Sequence, residues 1–416
     1  MADPTPSPPA SGSLPAPDAE AQALSRRLAD RIAADIGSAG GWIGFDRYMA
    51  QALYAPGLGY YSNGRPVFGP AGDFVTAPEL TPLFGDTLAG QLAVWFGEPA
   101  MEAAVRDGAT GAPTVLEFGA GSGLLASHLL NALDRAGFDN VRYRIVELSA
   151  DLRRRQRQTI AARLPALLDR VDWLDALPEG FSGIVIGNEV LDAMPARTFE
   201  WDGEQLFEAG VACRGGGFGW ALRPADASLV RAVESLALHG VNRRDWHLPY
   251  RSEVCPQQGA WLATVAGLMR TGAILLIDYG FPSREYYHPQ RVGGTLMSHY
   301  RHRSHVDPFL WPGLADVTAH VDFSRLLEAG VAAGLEPVGY LSQARFLLNC
   351  GLLDTLDALP RDEQRVWFAQ AQAVQRLVSE AEMGELFKVI AFGKGLSGDA
   401  AWPGFGHGDR LGSLQR

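Results

Sequence analysis

The sequence predicts an α/β protein built on a mostly parallel β-sheet with helices on both faces. Amphipathic segments of helical period, at residues 123–136 and 150–168, separate short apolar runs that are typical of β-strands. Strands that alternate with helices in this way indicate a parallel sheet, because each crossover helix packs on one face of it. The strand-like runs are residues 115–118, 143–147, 170–174, 183–188 and 273–280.

The remaining segments are arranged around this predicted sheet domain. Asp202-Gly203 lies between two strand-like runs, which is a strong signal for a β-hairpin inside the first insertion. The long segment before the sheet is rich in glycine, proline and aromatic residues, which favours an ordered lid. We predict a disordered tail (1–20), an N-terminal helical and lid region (21–110), the sheet domain (111–395) with insertions at about 197–256 and 281–322, and a flexible C-terminal tail (396–416).

Charge and composition exclude several classes of protein. The formal net charge of -11 argues against binding to nucleic acid through phosphate neutralisation, and it suits a cationic partner better. No apolar run has the length that spans a bilayer, so we expect no insertion into a membrane. The N-terminus has no secretory signal pattern and no arginine before Arg26, so a cytoplasmic bacterial protein is favoured over a mitochondrial matrix protein. The three cysteines are far apart, which indicates a reducing compartment and gives no zinc-site spacing.

A glycine-rich loop follows the first strand. In VLEFGAGSG, Gly119, Gly121 and Gly123 come directly after the strand and open a helix, so backbone N–H groups at the helix start can cradle a polar ligand. The dinucleotide pattern is GxGxxG, whereas this spacing is GxGxG with a leucine at position 124, which favours S-adenosylmethionine over NAD. A plain glycine turn between strand and helix is the alternative at this point.

Acids at the ends of the next strands extend the predicted cofactor site. Glu147 ends the second strand, where a carboxylate can accept hydrogen bonds from both ribose hydroxyls of an adenosine, in a dinucleotide as well as in S-adenosylmethionine. Asp172 can bind the adenine or can be a solvated loop acid, and the sequence favours neither. We place Glu117, Gly119, Ala120, Gly121, Gly123, Glu147, Asp172 and Asn188 in the cofactor site.

The fourth strand ends in a polar cluster. Asn188, Glu189 and Asp192 flank a short apolar run in NEVLDAMP, and packing alone does not explain them. Because the carboxyl ends of strands in open α/β sheets face the ligand crevice, these side chains are expected to face the methyl donor and its acceptor.

Five motifs in order along the chain resemble the MidA-type methyltransferases. These are GDFVTAPELTPLFGD, VLEFGAGSG, IVELS, GNEVLDAMP and DVTAHVDF, and the resemblance covers roughly residues 42–395. It implies a class I, Rossmann-like methyltransferase fold with S-adenosylmethionine as the cofactor. That family includes the mitochondrial assembly factor of respiratory complex I, and its eukaryotic members are regarded as forming symmetric dimethylarginine on a core subunit. The resemblance therefore implies a protein substrate, with a complex I subunit as the candidate.

Arginine chemistry is consistent with the acids of this chain. A guanidinium is charged at every physiological pH, so carboxylates must orient a nitrogen before it can attack a methyl group. We assign Glu189 as the first candidate for this clamp, with Asp192 and Glu79 as helpers. Asp73 and Glu79 would join only if the N-terminal lid folded over the pocket and excluded water.

Two points stay open from the sequence. The histidines His299, His302 and His305 have no acidic or cysteine partner at a ligand spacing, so we predict no metal site and favour a wall of the substrate pocket. The same fold also carries small-molecule and O-methyltransferases, and a cofactor-binding assembly chaperone with little turnover is a further alternative.

Overall fold

The computed structural model describes residues 14–65, 67, 76–108, 111–396 and 402–415. The chain begins with helices that cap themselves well: Asp18 accepts a hydrogen bond from the Ala21 N–H, and Thr81 accepts one from Leu83 N–H. These first helices are α1 (Ala19–Ser38), α2 (Phe45–Tyr54), α3 (Ala77–Leu80), α4 (Pro82–Phe96) and α5 (Pro99–Arg106).

The predicted alternation of strands and helices follows. It comprises β1 (Thr114–Phe118), α6 (Leu124–Arg135), β2 (Arg142–Val146), α7 (Ala150–Arg163), β3 (Val171–Leu174) and β4 (Phe181–Asn188). The first insertion then contains β5 (Arg197–Trp201), β6 (Leu206–Arg214), β7 (Gly217–Pro224), α8 (Ala227–Glu234) and β8 (Tyr250–Val254).

The chain returns to the sheet through α9 (Pro256–Leu268) and β9 (Met269–Phe281). A second insertion carries α10 (Ser283–Tyr286), β10 (Met297–Tyr300), β11 (Arg303–His305), β12 (Asp316–Thr318) and β13 (Val321–Asp322). The last elements are α11 (Phe323–Ala332), β14 (Glu336–Ser342), α12 (Gln343–Asn349), α13 (Leu352–Asp357), α14 (Gln364–Val378), α15 (Met383–Leu386) and β15 (Phe387–Lys394).

The central sheet has the strand order β14-β15-β9-β4-β1-β2-β3, with the short β13 paired to β9. β1 pairs in parallel with both β2 and β4, and β4 pairs in parallel with β9. β15 is antiparallel to both of its neighbours. The fold class predicted from the sequence is therefore confirmed. The order of strand addition reverses between β1 and β4: β2 and β3 follow β1 on one side, and the chain then crosses to β4 on the other side. Ligands of open α/β sheets bind outside the carboxyl ends of the strands at such a switch point.

Helices cover both faces of the sheet, as the apolar strand runs require. One face is packed by α4 and α6 with α12–α14, and the other by α9 and α11. Every residue of β1 is buried, because helices cover both faces of that strand.

The first insertion is larger than the predicted hairpin. β5 and β6 form that hairpin, and β7 and β8 extend it to a four-stranded antiparallel sheet in the order β7-β6-β5-β8. Helices α1 and α2 pack on it through the cluster that contains Ile32, Phe45 and Val211. That cluster also includes Ala193 and Ala196, so the N-terminal helices lie against the chain that leaves β4.

The C-terminal segment differs from the predicted flexible tail. Residues 402–415 pack against the β14 edge of the sheet, and Leu414 is fully buried. Gly404 N–H donates to Gln91 Oε1 at 2.8 Å, and Asp409 Oδ1 accepts from Tyr340 N–H at 2.8 Å. These contacts come from isolated residues and not from an apolar stripe of regular period. Because periodicity is the sequence signal for packing, the packing of this segment could not be predicted.

Candidate active site

The glycine loop occupies the switch point. Gly119, Gly121 and Gly123 all have positive φ, at 62°, 52° and 83°. A Cβ at Gly119 would lie 3.1 Å from Val190 Cγ2, and one at Gly123 would lie 3.0 Å from Gln156 Cα. Both the backbone conformation and the space therefore require glycine, and α6 begins directly after the loop.

Glu147 lies beside this loop, one residue beyond β2. Its side chain is buried: Oε1 accepts from the Ser149 N–H at 2.8 Å and Oε2 from Gln156 Nε2 at 3.0 Å. Gln156 Nε2 also donates to the Gly121 carbonyl at 3.2 Å, and Gln156 Oε1 accepts from Trp173 Nε1 at 3.0 Å. One glutamine on α7 thus joins the glycine loop, Glu147 and β3.

Glu117 and Ala120 lie nearby in the loop region, and both are buried. Tyr143 donates a hydrogen bond to Glu117 Oε2 at 2.9 Å. Burial raises the pKa of Glu117 to about 8, the Tyr143 hydrogen bond opposes that rise, and the charge of Glu147 adds to it.

Asp172 is placed away from this group. It pairs with Arg144 in the middle of the β2–β3 ladder, and its carboxylate forms an ion pair with Arg142, the first residue of β2, at 2.7 Å. The ion pair draws the side chain towards the amino ends of the strands. No described hydrogen bond joins the Asp172 side chain to Glu147 or to the glycine loop, so its place in the cofactor site stays a prediction.

The polar residues after β4 form a tight turn, here called the acid turn (residues 188–192). Asn188 Nδ2 donates to Glu189 Oε1 at 3.1 Å, and Glu189 has a φ of 54°, which is unusual for a residue other than glycine. The Glu189 N–H donates to the Ile277 carbonyl of β9 at 2.9 Å. Asn188 Oδ1 and Asp192 Oδ1 are buried, and neither accepts a hydrogen bond from any described residue.

The end of β9 holds the acid turn in place. Asp278 Oδ2 accepts from the N–H groups of Val190, Leu191 and Asp192, at 3.2, 2.9 and 3.3 Å. The Tyr279 hydroxyl donates to Asp192 Oδ2. Asp278 and Tyr279 lie near the carboxyl end of the strand-like run at 273–280. That position was the sequence signal that could have identified them as site residues.

Three carboxylates, those of Glu189, Asp192 and Asp278, are near enough for their charges to raise one another's pKa, and none has a basic partner among the described residues. Within the described parts of the chain, no Lys, Arg or His forms an ion pair with Glu189, Asp192 or Asp278. Desolvation and the charge of Asp192 raise the pKa of Glu189 to about 8, and the Asn188 hydrogen bond opposes the rise. Burial raises the pKa of Asp192 to about 6, against the hydrogen bond from Tyr279. Both shifts are those of acids that lack a cation.

Two tyrosines from the N-terminal region line the other side of the acid turn. The Tyr54 hydroxyl donates to the Ala193 carbonyl at 2.8 Å, and the Tyr61 hydroxyl donates to Asp316 Oδ2 at 2.9 Å. The two rings stack with centroids 5.6 Å apart. Burial, Asp316 and Asp192 raise the pKa of Tyr54 well above its usual value. The sequence analysis missed both tyrosines, because nothing in their spacing connects them to β4.

The lid residues are only partly placed. Glu79 lies on α3, which packs against α4 and α6, and no described hydrogen bond joins its side chain to Glu189 or Asp192. Asp73 lies outside the described residues.

The donors and acceptors at this edge fit an adenosine ligand that carries a charged sulfur. The glycine loop leaves room for backbone contact, the Glu147 carboxylate lies at the tip of the neighbouring strand, and the acid turn faces the same crevice. Residues 91–341 match the family model for S-adenosyl-L-methionine-dependent methyltransferases. The chain belongs to that family. S-adenosylmethionine is its cofactor.

Solved and curated relatives agree with this membership. The methyltransferase is 49% identical to a superfamily member from Burkholderia thailandensis whose crystal structure holds S-adenosyl-homocysteine; the match covers 96% of this chain and 100% of the other, with a TM-score of 0.87. It is 30% identical over 328 residues to the protein named protein arginine methyltransferase NDUFAF7 homolog, mitochondrial, of Caenorhabditis elegans, which is 73% of this chain and 70% of that protein. It is 28% identical over 378 residues to the human protein arginine methyltransferase NDUFAF7, mitochondrial, covering 83% and 78% of the two chains.

Two further observations concern the described residues of the methyltransferase. No three His, Cys, Asp or Glu side chains come together there in a group that could hold a metal ion. None of the helices in that part of the chain combines the length and the apolar character needed to cross a bilayer.

Proposed function

We propose that this chain is a protein arginine N-methyltransferase that forms symmetric dimethylarginine on a core subunit of respiratory complex I. The observation that carries the proposal is the group of three carboxylates, Glu189, Asp192 and Asp278, which lack a basic partner among the described residues. A buried carboxylate without a cation is costly, and a guanidinium that enters the crevice would relieve that cost. The names of the relatives, protein arginine methyltransferases, support arginine as the acceptor. The complex I subunit is what the resemblance of the five motifs implies.

The acid turn supplies acceptors that match a planar guanidinium. A guanidinium has five N–H donors and needs several acceptor oxygens in one place. Asn188 Oδ1 and Asp192 Oδ1 are buried oxygens that accept no hydrogen bond from any described residue. Glu189 completes the set as the clamp on the attacking nitrogen. Asp192 is the helper, and no described contact of Glu79 adds support for its role.

The cofactor residues in this proposal are those at the switch point. Glu147 accepts hydrogen bonds from the ribose hydroxyls, the loop from Gly119 to Gly123 approaches the ligand with its backbone, and Asn188 lies between cofactor and acceptor. Glu117 acts behind the loop, where Tyr143 holds it.

The chemistry needs orientation and one proton acceptor. S-adenosylmethionine supplies a methyl group on a positively charged sulfur. A C–N bond forms to the guanidinium nitrogen as the S–CH₃ bond breaks, the sulfur leaves as a neutral thioether, and the attacking nitrogen loses one proton. The Glu189 and Asp192 carboxylates hold the attacking nitrogen in line with the S–CH₃ bond. One of the two accepts the proton that this nitrogen releases, since a raised pKa makes each a better base than an ordinary carboxylate.

A labelling experiment tests the proposal. The enzyme, methyl-labelled S-adenosylmethionine and lysate from a strain that lacks the enzyme are incubated together, and the labelled residues are mapped by mass spectrometry. We expect symmetric dimethylarginine on a complex I subunit. Label only in small molecules would favour a small-molecule methyltransferase, and no label despite cofactor binding would favour an assembly chaperone.

Matched variants connect the activity to the acid turn. Glu189→Gln keeps the shape and removes the charge, so we expect cofactor binding by calorimetry without arginine methylation. Glu336→Gln is the control, because Glu336 is exposed at the start of β14. Full activity of Glu189→Gln would remove the clamp from the proposal.

Where the enzyme acts follows from its acceptor. We propose the bacterial cytoplasm, with the mitochondrial matrix as the corresponding compartment of a eukaryote. The names of the curated relatives call those proteins mitochondrial.

A further inference from the structure

Asp192 has one oxygen engaged and one available. Its Oδ2 accepts the hydrogen bond from the Tyr279 hydroxyl, while Oδ1 is buried and accepts none from any described residue. The backbone of Asp192 is fixed separately, since its N–H donates to Asp278 and its carbonyl accepts from the Ala319 N–H at 3.0 Å. The backbone N–H groups of Ala193 and of Asp192 itself also stabilise the carboxylate. Tyr279 is the described side chain that donates to it, so Tyr279 sets the rotation of the carboxylate and, with it, the direction of Oδ1.

We propose that Tyr279 is a positioning residue for methyl transfer, which turns Asp192 so that Oδ1 faces the guanidinium of the acceptor. This inference rests on the proposed arginine methyltransferase function. It goes further in assigning the orientation of the acid to one hydroxyl on β9.

The position of Tyr279 is itself well fixed. Its ring lies edge-on to His320, with centroids 4.9 Å apart, and edge-on to Phe387 at 5.4 Å. Its backbone N–H donates to Asp278 Oδ1 at 2.9 Å. Because the ring and the backbone have their own contacts, a phenylalanine at this position keeps the packing and removes only the hydroxyl.

The hydroxyl also favours the ionised form of Asp192. A hydrogen bond to the charged form of an acid lowers its pKa, and burial works in the opposite direction. Among the described residues, Tyr279 is the side chain that donates a hydrogen bond to Asp192. The nearby carboxylates of Glu189 and Asp278 repel its charge. The hydroxyls of Tyr54 and Tyr61 donate to other acceptors. The groups that face Asp192 are Glu189, Asp278, Tyr279, Tyr54 and Tyr61.

A pair of tyrosine variants tests this role. Tyr279→Phe removes the donor, and Tyr340→Phe is the matched control, because Tyr340 is buried on β14 and its hydroxyl accepts or donates no hydrogen bond among the described residues. The rate of arginine methylation is measured from pH 5 to 9 with cofactor and arginine peptide both saturating. A bound guanidinium already favours the ionised form of Glu189 under these conditions, so the lower-pH limb reports Asp192. For Tyr279→Phe we expect the lower-pH limb to move up by about one pH unit, because hydrogen bonds to charged groups are among the stronger ones.

The outcomes separate this inference from the proposed function. An equal loss of rate at all pH values in Tyr279→Phe, with an unmoved limb, would overturn the positioning role and leave arginine methylation intact. If the wild-type enzyme does not methylate arginine, the proposed function fails. The pKa of Asp192 is then read without any acceptor, by ¹³C NMR of protein labelled at the aspartate carboxyl carbon, with Asp192→Asn to identify the signal. No rise of that pKa in Tyr279→Phe would overturn the inference on its own.

A second substitution covers the case in which Tyr279→Phe does not fold. 3-Fluorotyrosine at position 279 keeps the hydroxyl and the packing, and it makes the hydroxyl a stronger donor. We expect the lower-pH limb to move to lower pH, opposite to the phenylalanine variant. A shift in the same direction as that of phenylalanine, or no shift, would contradict the inference.

Discussion

The raised pKa of Glu189 predicts a pH dependence that an ordinary glutamate would not give. With a pKa of about 8, Glu189 is mostly protonated and neutral at pH 7 in the free enzyme. A bound guanidinium favours the ionised form, so acceptor binding must release a proton from this residue. The apparent affinity for arginine therefore rises as pH rises towards and through 8.

The size of this effect follows from the pKa. An acid with a pKa of about 8 is ionised to roughly a tenth at pH 7 and to roughly nine tenths at pH 9. We expect kcat/KM for an arginine peptide to increase about tenfold over this range, whereas a glutamate at its ordinary pKa would give no change. The acceptor cannot cause the increase, because a guanidinium stays protonated throughout.

The assay is steady-state methylation of an arginine peptide at saturating S-adenosylmethionine, with the affinity for the cofactor measured at each pH. Glu189→Gln should show at most a residual kcat/KM, with no rise between pH 7 and 9. Glu336→Gln, which removes an exposed acid, should keep the wild-type slope. A flat profile of the wild-type enzyme would refute the reasoning, and so would the full slope in Glu189→Gln.

Three other predictions concern the rest of the site. Gly123→Ala should lower the free energy of unfolding by about 1–2 kcal/mol, because φ at this position is 83° and the new Cβ would lie 3.0 Å from Gln156 Cα. Urea titration measures this change, and unchanged stability would contradict the described backbone conformation. Glu147→Gln should weaken cofactor binding about tenfold or more by calorimetry, since hydrogen bonds to a charged acceptor are lost, and an unchanged Kd would remove it from the ribose site. Tyr61→Phe should raise KM for arginine with the cofactor Kd unchanged, because the Tyr61 ring, held by its hydrogen bond to Asp316 at 2.9 Å, stacks on Tyr54 beside the acid turn; a change in cofactor Kd alone would contradict this.

The sequence predicts the sheet well because each strand carries its own signal. The runs that became β1, β4 and β9 are almost wholly buried, and the glycine loop has the pattern of a strand-to-helix turn. Strand ends are also local features, so Glu147 and the acid turn could be placed at the crevice from the sequence.

What could not be predicted depends on contacts between distant segments. Tyr61 and Asp316 are 255 residues apart and meet only through packing of the N-terminal helices on the insertions. Gln156 is one polar residue in an arginine-rich helix, so nothing marks it as the link between Glu147 and the glycine loop. The sequence leaves Asp172 open between two alternatives, because an acid that binds adenine and an acid paired with a neighbouring strand look alike until Arg142 is placed beside it.

The same burial that prepares the site for a cation acts against the stability of the empty enzyme. The folded-state pKa values of Glu117 and Glu189 lie at about 8, above the ordinary value of 4.5, so the stability they contribute is complete below pH 4.5 and is lost as pH rises towards 8. Binding of a guanidinium strengthens over the upper part of this range. The acids thus favour the folded state when they are protonated and favour the acceptor when they are ionised. Because Glu117 contacts Tyr143 and not the acid turn, an acceptor can offset this loss of stability at Glu189 but not at Glu117.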